Sequence, residues 1–547
     1  MRTIKKKTRA RGLNMIFLIW AAVLGALLAL YFNKLYSRFS DYGVKHKPVV
    51  PFLGNVWRVL FGVNHFVEDM QMLYQTFPEE RFIGRYELLQ PTLMIRDIEL
   101  VKKITIKDIE HFLDHRSFTD EKMEPIFSRS LFLLRGQEWK DMRSTLSPAF
   151  TSSKIKLMVP FMEEVGQQTL KILNQQLKES NTEYVDMDCK DLTSRYTNDV
   201  IASCAFGLKV DSYTNRKNKF FEMGKLATTF KFRQRFLFFL LSTFPSLIRK
   251  LKVTLFPSIT RDFFTELVLS TMKNREINKI VRPDMIHLLM QANKGQLSHD
   301  EKAENGQHKD AGFASVEEFV VGKKNVNRVW SEIDLVAQAM IFLIAGFETI
   351  STAICFALHE LAIHPEIQDR LAKEIKDVDV KNGGKISLNS IQSMTYLDMV
   401  VSEVLRLWPP MILLDRICTE DYNMGTPNAK ATQDYIVRKD DLVIIPIWSF
   451  HHNPELFPNP LKFDPERFSE ENKHKINPVA YMPFGLGPRN CIGARFALFE
   501  LKSFLYQILQ KFEVSPSVKT RLPAKLSTES FSPRLKGGHW LRFKERQ

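Results

Sequence analysis

The sequence predicts a mainly α protein with a small β region, built as a single domain behind an N-terminal transmembrane anchor. Three observations carry this. Helical periodicity dominates from Trp139 to about Lys376, short β-like runs such as Thr92–Ile95 and Leu442–Ile447 lie outside it, and Met15–Phe32 is an unbroken apolar run of 18 residues. The 547 residues are 44% hydrophobic and 25% charged, an ordinary globular balance that excludes a mainly disordered or fibrous chain. No internal repeat and no composition shift marks a second domain.

At a rise of about 1.5 Å per residue, the apolar run reaches across a hydrocarbon core. It ends in Tyr31, Phe32, Asn33 and Lys34, an aromatic rim rather than a small-residue cleavage site, so it reads as an anchor over residues 15–33. Residues 34–51, with Pro48 and Pro51, read as a linker to a domain over 52–547. The net charge of +15 is concentrated here: residues 1–47 hold ten basic side chains against Asp41 alone. The modestly basic remainder gives no reason to expect nucleic-acid binding. Six of those ten precede the apolar run, which by the positive-inside tendency favours a cytoplasmic N-terminus. The expectation is therefore that Met15 is the physiological start and that 1–14 is a basic extension; the same basic start is also compatible with a mitochondrial transit peptide.

Thr229–Ser258 interleaves Phe and Leu with Arg and Lys, too short to span and broken by Pro245. It reads either as a segment dipping into the membrane interface or as core helices, and both hold if one face packs and the other touches lipid. Lys294–Val329 is polar and reads as an exposed loop.

Five cysteines are too few and scattered for a disulfide scaffold, and no CxxC pair exists for structural zinc. One of them stands apart. Phe484-Gly-Leu-Gly-Pro-Arg-Asn-Cys491-Ile-Gly493 is a glycine-rich loop leading into Ala494–Gln510, a stretch without Gly or Pro that reads as a buried helix. A cysteine near a helix N-terminus has its thiolate favoured by the dipole, and Gly487 and Gly493 remove side chains where a flat ligand could approach. Taken alone, a buried structural cysteine is the commoner outcome. The whole string, FxxGxRxCxG, resembles the haem-thiolate signature of the cytochrome P-450 family. The resemblance implies a haem b cofactor with Cys491 as the axial ligand of its iron, Arg489 on a propionate and Phe484 among the cofactor contacts. Thiolate ligation favours O–O cleavage.

Other strings resemble the same family, in its order. Ser331 and Asp334 form a capping-box-like start to a helix that Pro365 stops at His364. Its centre, Ala345-Gly-Phe-Glu348-Thr349-Ile-Ser351, carries a carboxylate too costly to bury without a reason, and Gly346 could open a groove. AGFETIS is similar to the family's oxygen-activating stretch, which implies proton delivery by Glu348 and Thr349; Ile350 departs from the pattern and leaves a second hydroxyl, Ser351, one place late. Glu403 and Arg406 share a helix face, and with Arg467 of Pro465-Glu-Arg467-Phe468 they resemble the ExxR–PERF triad that locks the core on the cysteine side. Trp139 and Arg143 resemble the WxxxR propionate helix, and Arg416 matches another propionate contact. Arg116 reads as a surface charge, His451-His452 as a loop pair, and the other four cysteines as buried thiols.

TLSPAFTSSKIK and DVIASCAFGLKVDS look most like the microsomal clan that includes insect family 9 and vertebrate 3A-like members. That resemblance, which extends from about residue 48 to the C-terminus, implies an EC 1.14.14-class monooxygenase of xenobiotics or endogenous lipids in the endoplasmic reticulum membrane, its catalytic domain cytoplasmic. It further implies substrate contacts from Phe132, Leu133, Phe342, Ala345, Leu413, Leu414 and Phe531. Electrons would come from NADPH through NADPH–cytochrome P-450 reductase, with cytochrome b5 as a second donor, because no GxGxxG loop or reductase domain is present. Lys140, Arg495 and Lys502 are expected on the docking face. The rival readings are a haem-thiolate isomerase or dehydratase, a mitochondrial ferredoxin-dependent monooxygenase, and a non-enzymatic haem-containing membrane binder.

Overall fold

The computed structural model describes residues 2–117, 119–229, 232–251, 253–295, 312–315, 319, 321 and 328–547. Most of the expected loop over 294–329 lies outside the described residues, as do Phe230, Lys231 and Lys252 of the segment read as interfacial.

One long helix, Glu332–Ile363, organises the domain; we call it the central helix. Its start is local chemistry. The Ser331 hydroxyl accepts from the Asp334 N–H, and the Asp334 carboxylate accepts from the Ser331 N–H, so two orphan donors are satisfied. Its end is equally local, because Pro365 begins the next helix and its ring does not tolerate a helical predecessor. Among the described residues two helices are long and apolar enough to cross a membrane, but most of the central helix is buried inside the domain, whereas Asn14–Tyr36 is almost wholly exposed.

The helix Cys189–Cys204 packs along the central helix, with the Thr193 and Thr197 hydroxyls donating to the Ser351 and Phe347 carbonyls at 3.1 and 3.2 Å. The helix Ala494–Lys511 packs behind both. Strands β1 (Phe82–Glu87), β2 (Gln90–Ile95), β3 (Tyr184–Asp188), β4 (Leu414–Ile417), β5 (Tyr422–Asn423), β6 (Ile436–Val437), β7 (Leu442–Ile445), β8 (Phe512–Pro516) and β9 (Trp540–Glu545) form three small sheets. Their orders are β1-β2-β7-β4, β3-β9-β8 and β5-β6. In the first, β2 and β7 run parallel, Thr92 opposite Leu442, while β4 pairs antiparallel with β7, Leu414 opposite Ile445. Strand β3 interrupts the stretch expected to be helical. Its five residues are at most half-buried, and its pairing partner β9 lies at the far end of the chain.

The N-terminal helix runs unbroken from Arg2 to Tyr36. Residues 34–51, expected as a linker, pack onto the domain. Tyr36 donates to the Leu88 carbonyl at 3.3 Å, Phe39 is buried against Tyr86, Arg38 forms a two-pronged ion pair with Asp441, and His46 bridges to Gly84. The segment read as interfacial folds as two helices, Phe232–Thr243 and Pro245–Lys250. Leu237, Phe239, Leu241 and Ile248 are buried, while Phe236, Phe244, Leu247 and Leu251 are exposed.

Candidate active site

The loop that presents Cys491 is held by distant backbone. Gly487 has φ +70°, and a Cβ there would stand 1.7 Å from the Thr105 carbonyl oxygen. The glycine is needed for chain-to-chain contact, not for the approach of a ligand as its position suggested. The Arg489 guanidinium lies 3.9 Å over the Trp139 ring and donates to the Leu113 and Leu134 carbonyls at 2.8 Å. Arg143, one turn beyond Trp139, donates to the Asn490 carbonyl and side-chain oxygens at 2.8 and 2.7 Å. The WxxxR helix (Gly136–Leu146) therefore grips the loop at two adjacent residues, Arg489 and Asn490.

Cys491 itself is exposed, while Cys189, Cys204, Cys355 and Cys418 are buried. Burial by surrounding protein nonetheless pushes its thiol up, against the pull of the Gly493 N–H and the Arg143 charge. A sulfur both surrounded and accessible faces an internal space. The central helix opens on such a space too: Ala345 is exposed and Thr349 half-buried, between fully buried Leu343 and Phe347. Phe150 connects the two walls. Its ring is 5.3 Å from that of Phe342, and a Cβ on Gly493 would meet it at 3.7 Å.

A surplus of buried cations lines the edge of the loop. Arg416 is 1% exposed; one of its nitrogens donates to the Asp415 carbonyl at 2.7 Å, and Nε and Nη2 have no partner among the described residues. Burial pulls its pKa down to about 10, offset only in part by the Asp415 charge. Arg489 is likewise pulled far down by burial and by Arg416, against the pull of Asp114 at 3.4 Å and of Asp415. Asp415 is shared with other donors. It takes a 3.0 Å contact from His115 Nδ1 and a 2.6 Å bond from the Arg116 N–H. His115 was not singled out from sequence, and its partner is 300 positions away. Arg116, read as a surface charge, is buried and paired with Glu87 at 2.6 Å.

On the central helix Glu348 and Thr349 point to different partners. Thr349 donates to the Ala345 carbonyl at 2.5 Å. Glu348 accepts from Arg534 at 2.8 Å and stands 3.3 Å from Lys190 Nζ; the two cations hold its carboxyl below the usual range despite burial. Ser351 does not extend the pair: its hydroxyl donates to the Phe347 carbonyl and accepts from Lys190. Gly346 opens no groove, since a Cβ there would come 3.1 Å from Ile201 Cδ1 on the neighbouring helix.

Glu403, Arg406 and Arg467 come together. Arg406 forms a bidentate pair with Glu403 at 2.7 and 2.8 Å, both fully buried, and Arg467 adds a 3.3 Å contact. Arg406 also donates to the His451 carbonyl at 2.8 Å, and His451 Nε2 accepts from the Met482 N–H at 3.0 Å. His451 is thus a buried strut at the end of the helix Ile447–His451, not in a loop, while His452 lies in the turn beyond. The strut links the triad to the chain running into the Cys491 loop.

Among the expected substrate contacts, Phe132 stacks on His115 at 4.6 Å, and Leu133 joins Phe127, Leu237, Leu241 and Phe256 in an apolar cluster that also touches Ile341 and Ile344 of the central helix. Leu414 lies under the loop, where a Cβ on Gly485 would meet it at 3.4 Å, and Leu413 is half-buried beside it. Phe531 packs against Phe66 and Phe238. The roof is clasped by Glu124, whose buried carboxylate accepts from the Leu255 and Phe256 N–H groups at 2.7 and 3.0 Å. Lys502, expected on a docking face, is buried and paired with Asp398 at 2.6 Å.

Residues 45–540 match the cytochrome P-450 family model. The chain belongs to the cytochrome P-450 family. It is 43% identical over 519 residues to cytochrome P-450 9e2 of Blattella germanica, an alignment covering 93% of this chain and 94% of that protein. It is 41% identical over 516 residues to a probable cytochrome P-450 9f2 of Drosophila melanogaster, covering 93% and 95%, and 35% identical over 516 residues to cytochrome P-450 6j1 of Blattella germanica, covering 94% of each. The family implies haem iron and oxygenase chemistry, and the P-450 site here suits that cofactor. The Cys491 thiol is accessible, two nitrogens of a buried Arg416 have no partner among the described residues, and the central-helix wall is apolar.

Proposed function

We propose that this cytochrome P-450 is a membrane-anchored monooxygenase that inserts one atom of dioxygen into hydrophobic small molecules with electrons from NADPH. The observation that carries the reading is the pairing of an accessible thiol at Cys491 with the unpartnered guanidinium nitrogens of Arg416. In this reading Cys491 would ligate haem iron, while Arg416, Arg489 and Arg143, with Trp139 and Phe484, would hold the macrocycle and its propionates. The bound haem supplies one-electron and dioxygen chemistry that no amino-acid side chain supplies.

The chain's own part is positional and acid–base. Glu403, Arg406 and Arg467 hold the backbone that carries the thiol. The apolar surfaces of Phe132, Leu133, Phe342, Ala345, Leu413, Leu414 and Phe531 would bind a substrate by burial and limit water. Thr349 Oγ1 stands at the accessible face of the central helix, placed to pass a proton, and Glu348 stands one residue away with Lys190 and Arg534 reaching toward the surface. A carboxylate released from these cations could carry protons between solvent and Thr349.

Residues 15–33 would anchor the protein in the endoplasmic reticulum membrane, after an extension over 1–14 and with the domain from residue 52 on the cytoplasmic side. Asn14–Tyr36 supports this with a mean hydropathy of 2.5 and an almost wholly exposed apolar surface. NADPH–cytochrome P-450 reductase would deliver electrons, with cytochrome b5 as a second donor, at a face that includes Lys140 and Arg495. The test is reconstitution in lipid with that reductase. NADPH-dependent product formation and a thiolate-type optical band of the reduced carbon monoxide complex are expected, the band lost in C491S. Turnover only with a ferredoxin, or a thiolate band that survives C491S, would refute the reading.

A further inference from the structure

The helix Ala494–Lys511 begins three residues after Cys491 and carries a polar stripe on its buried face. Glu500 is fully buried, and neither carboxyl oxygen has a hydrogen-bond partner among the described residues. Gln507, two turns on, is buried with Oε1 unpartnered, and a Cβ on Gly166 would press against its amide at 2.1 Å. Between them Phe504 packs edge-on against Tyr196 of the helix Cys189–Cys204, ring centroids 4.6 Å apart. Tyr196 is fully buried, and its hydroxyl also has no partner. Glu500 lies one turn before Phe504 on the same helix, so its carboxyl and the Tyr196 ring face one interior region.

Four unpartnered polar atoms in one dry interface cost too much to be left so, and interiors satisfy such groups with protein or with ordered water. Burial alone raises the Glu500 carboxyl well above its ordinary range, with no cation offsetting it. Arg282, whose charge reaches Cys204, is engaged by Asp284 at 3.2 Å.

We propose that Glu500 and Tyr196 hold an internal water molecule between these two helices, and that this bridge is a positioning element for the helix that presents Cys491. A protonated Glu500 donates to the water, the water donates back to an acceptor, and the Tyr196 hydroxyl completes the bridge. A simple burial defect predicts the opposite response to substitution, because replacing an unsatisfied carboxyl by an apolar isostere relieves the defect.

The experiment combines a double-mutant cycle with two spectra, all on the full-length chain. E500L and Y196F should each lower the unfolding midpoint, and the double variant should lose less than the two losses together. E500Q, which keeps a donor and an acceptor, should hold the midpoint near that of the parent. The infrared spectrum at neutral pH should show a protonated-acid carbonyl band that E500Q abolishes. These two arms need no cofactor, so they stand or fall separately from the haem reading. On the haem-loaded protein, E500L should shorten the lifetime of the thiolate-type carbon monoxide band on warming, and E500Q should restore it. A midpoint raised by E500L, strictly additive losses, or absence of the acid band would overturn the bridge. A band lifetime equal to that of the parent in E500L would overturn its role in seating Cys491. Should E500L fail to fold, Y196F and the E500Q spectrum decide.

Discussion

Arg534 donates to the Glu348 carboxylate at 2.8 Å although 186 positions separate them, and Lys190 closes on the same oxygen from the other side at 3.3 Å. The carboxylate at the centre of the long helix is therefore an ion-pair partner before it is anything else. Its folded pKa lies below the ordinary value, so it adds stability above about pH 4.3, lost as the pH falls through the lower folded value. E348Q should flatten that acid limb in pH-dependent unfolding and, under the proposed relay, cut turnover by about 10²-fold or more. R534A should shift the pH profile of turnover rather than abolish it. A variant E348Q with parental turnover would remove Glu348 from the relay.

Arg416 should respond with opposite signs in two states. R416M removes a buried cation with two nitrogens unpartnered among the described residues, so the cofactor-free chain should be as stable or more stable. The same change removes an anion contact, so haem should dissociate faster, about tenfold or more for the loss of one charge-assisted bond. Haem transfer to an acceptor protein and urea unfolding of the cofactor-free chain measure the two arms.

Breaking the Glu403–Arg406 pair leaves a charge buried with little to replace its partner. R406A should cost about 3–5 kcal/mol, enough to leave little folded protein at 37 °C. R467K should be milder, because Arg467 is partly exposed and its contact with Glu403 is 3.3 Å. Chemical unfolding and haem content of the purified variants check both.

The Glu124 clasp ties Asp120–Phe127 to the chain entering the helix Ser258–Asn278. E124L strips two buried N–H groups of their acceptor, at about 1–3 kcal/mol each, while E124Q keeps an acceptor oxygen. The expected outcome is faster association of a nitrogenous haem ligand in E124L, followed by its optical shift, with E124Q near the parental rate. Equal rates in all three proteins would show that the roof opens elsewhere.

Docking of the electron donor should weaken with salt and with K140E, and K502A should leave it untouched. Lys502 lies inside the domain against Asp398, so its loss should appear as lower stability instead. Stopped-flow reduction across a salt series separates the two effects.

What the sequence revealed was local. The capping box at Ser331, the stop at Pro365, the cysteine string and the i,i+3 spacing of Glu403 and Arg406 depend on neighbours within a few positions, and they stand in the structure where spacing put them. What stayed hidden depends on chain segments hundreds of residues apart. Gly487 answers to Thr105, Gly346 to Ile201, His115 to Asp415, and β3 to β9. Lys502 was misjudged for the same reason: a lysine on a helix reads as solvated until a carboxylate from elsewhere meets it. The strings that resembled a family pointed to the chemistry, but not that Glu348 is pinned by Lys190 and Arg534 from distant parts of the chain.

The foot of the N-terminal helix has a mechanical consequence. Phe32 is buried against Phe52, and Tyr36, Phe39 and Arg38 fasten the next turns to strand β1 and to Asp441. If the proposed anchoring holds, a helix fastened this way is a mast, not a tether: it would fix the tilt of the body over a bilayer, and with it which flank meets lipid and which faces the proposed electron donor.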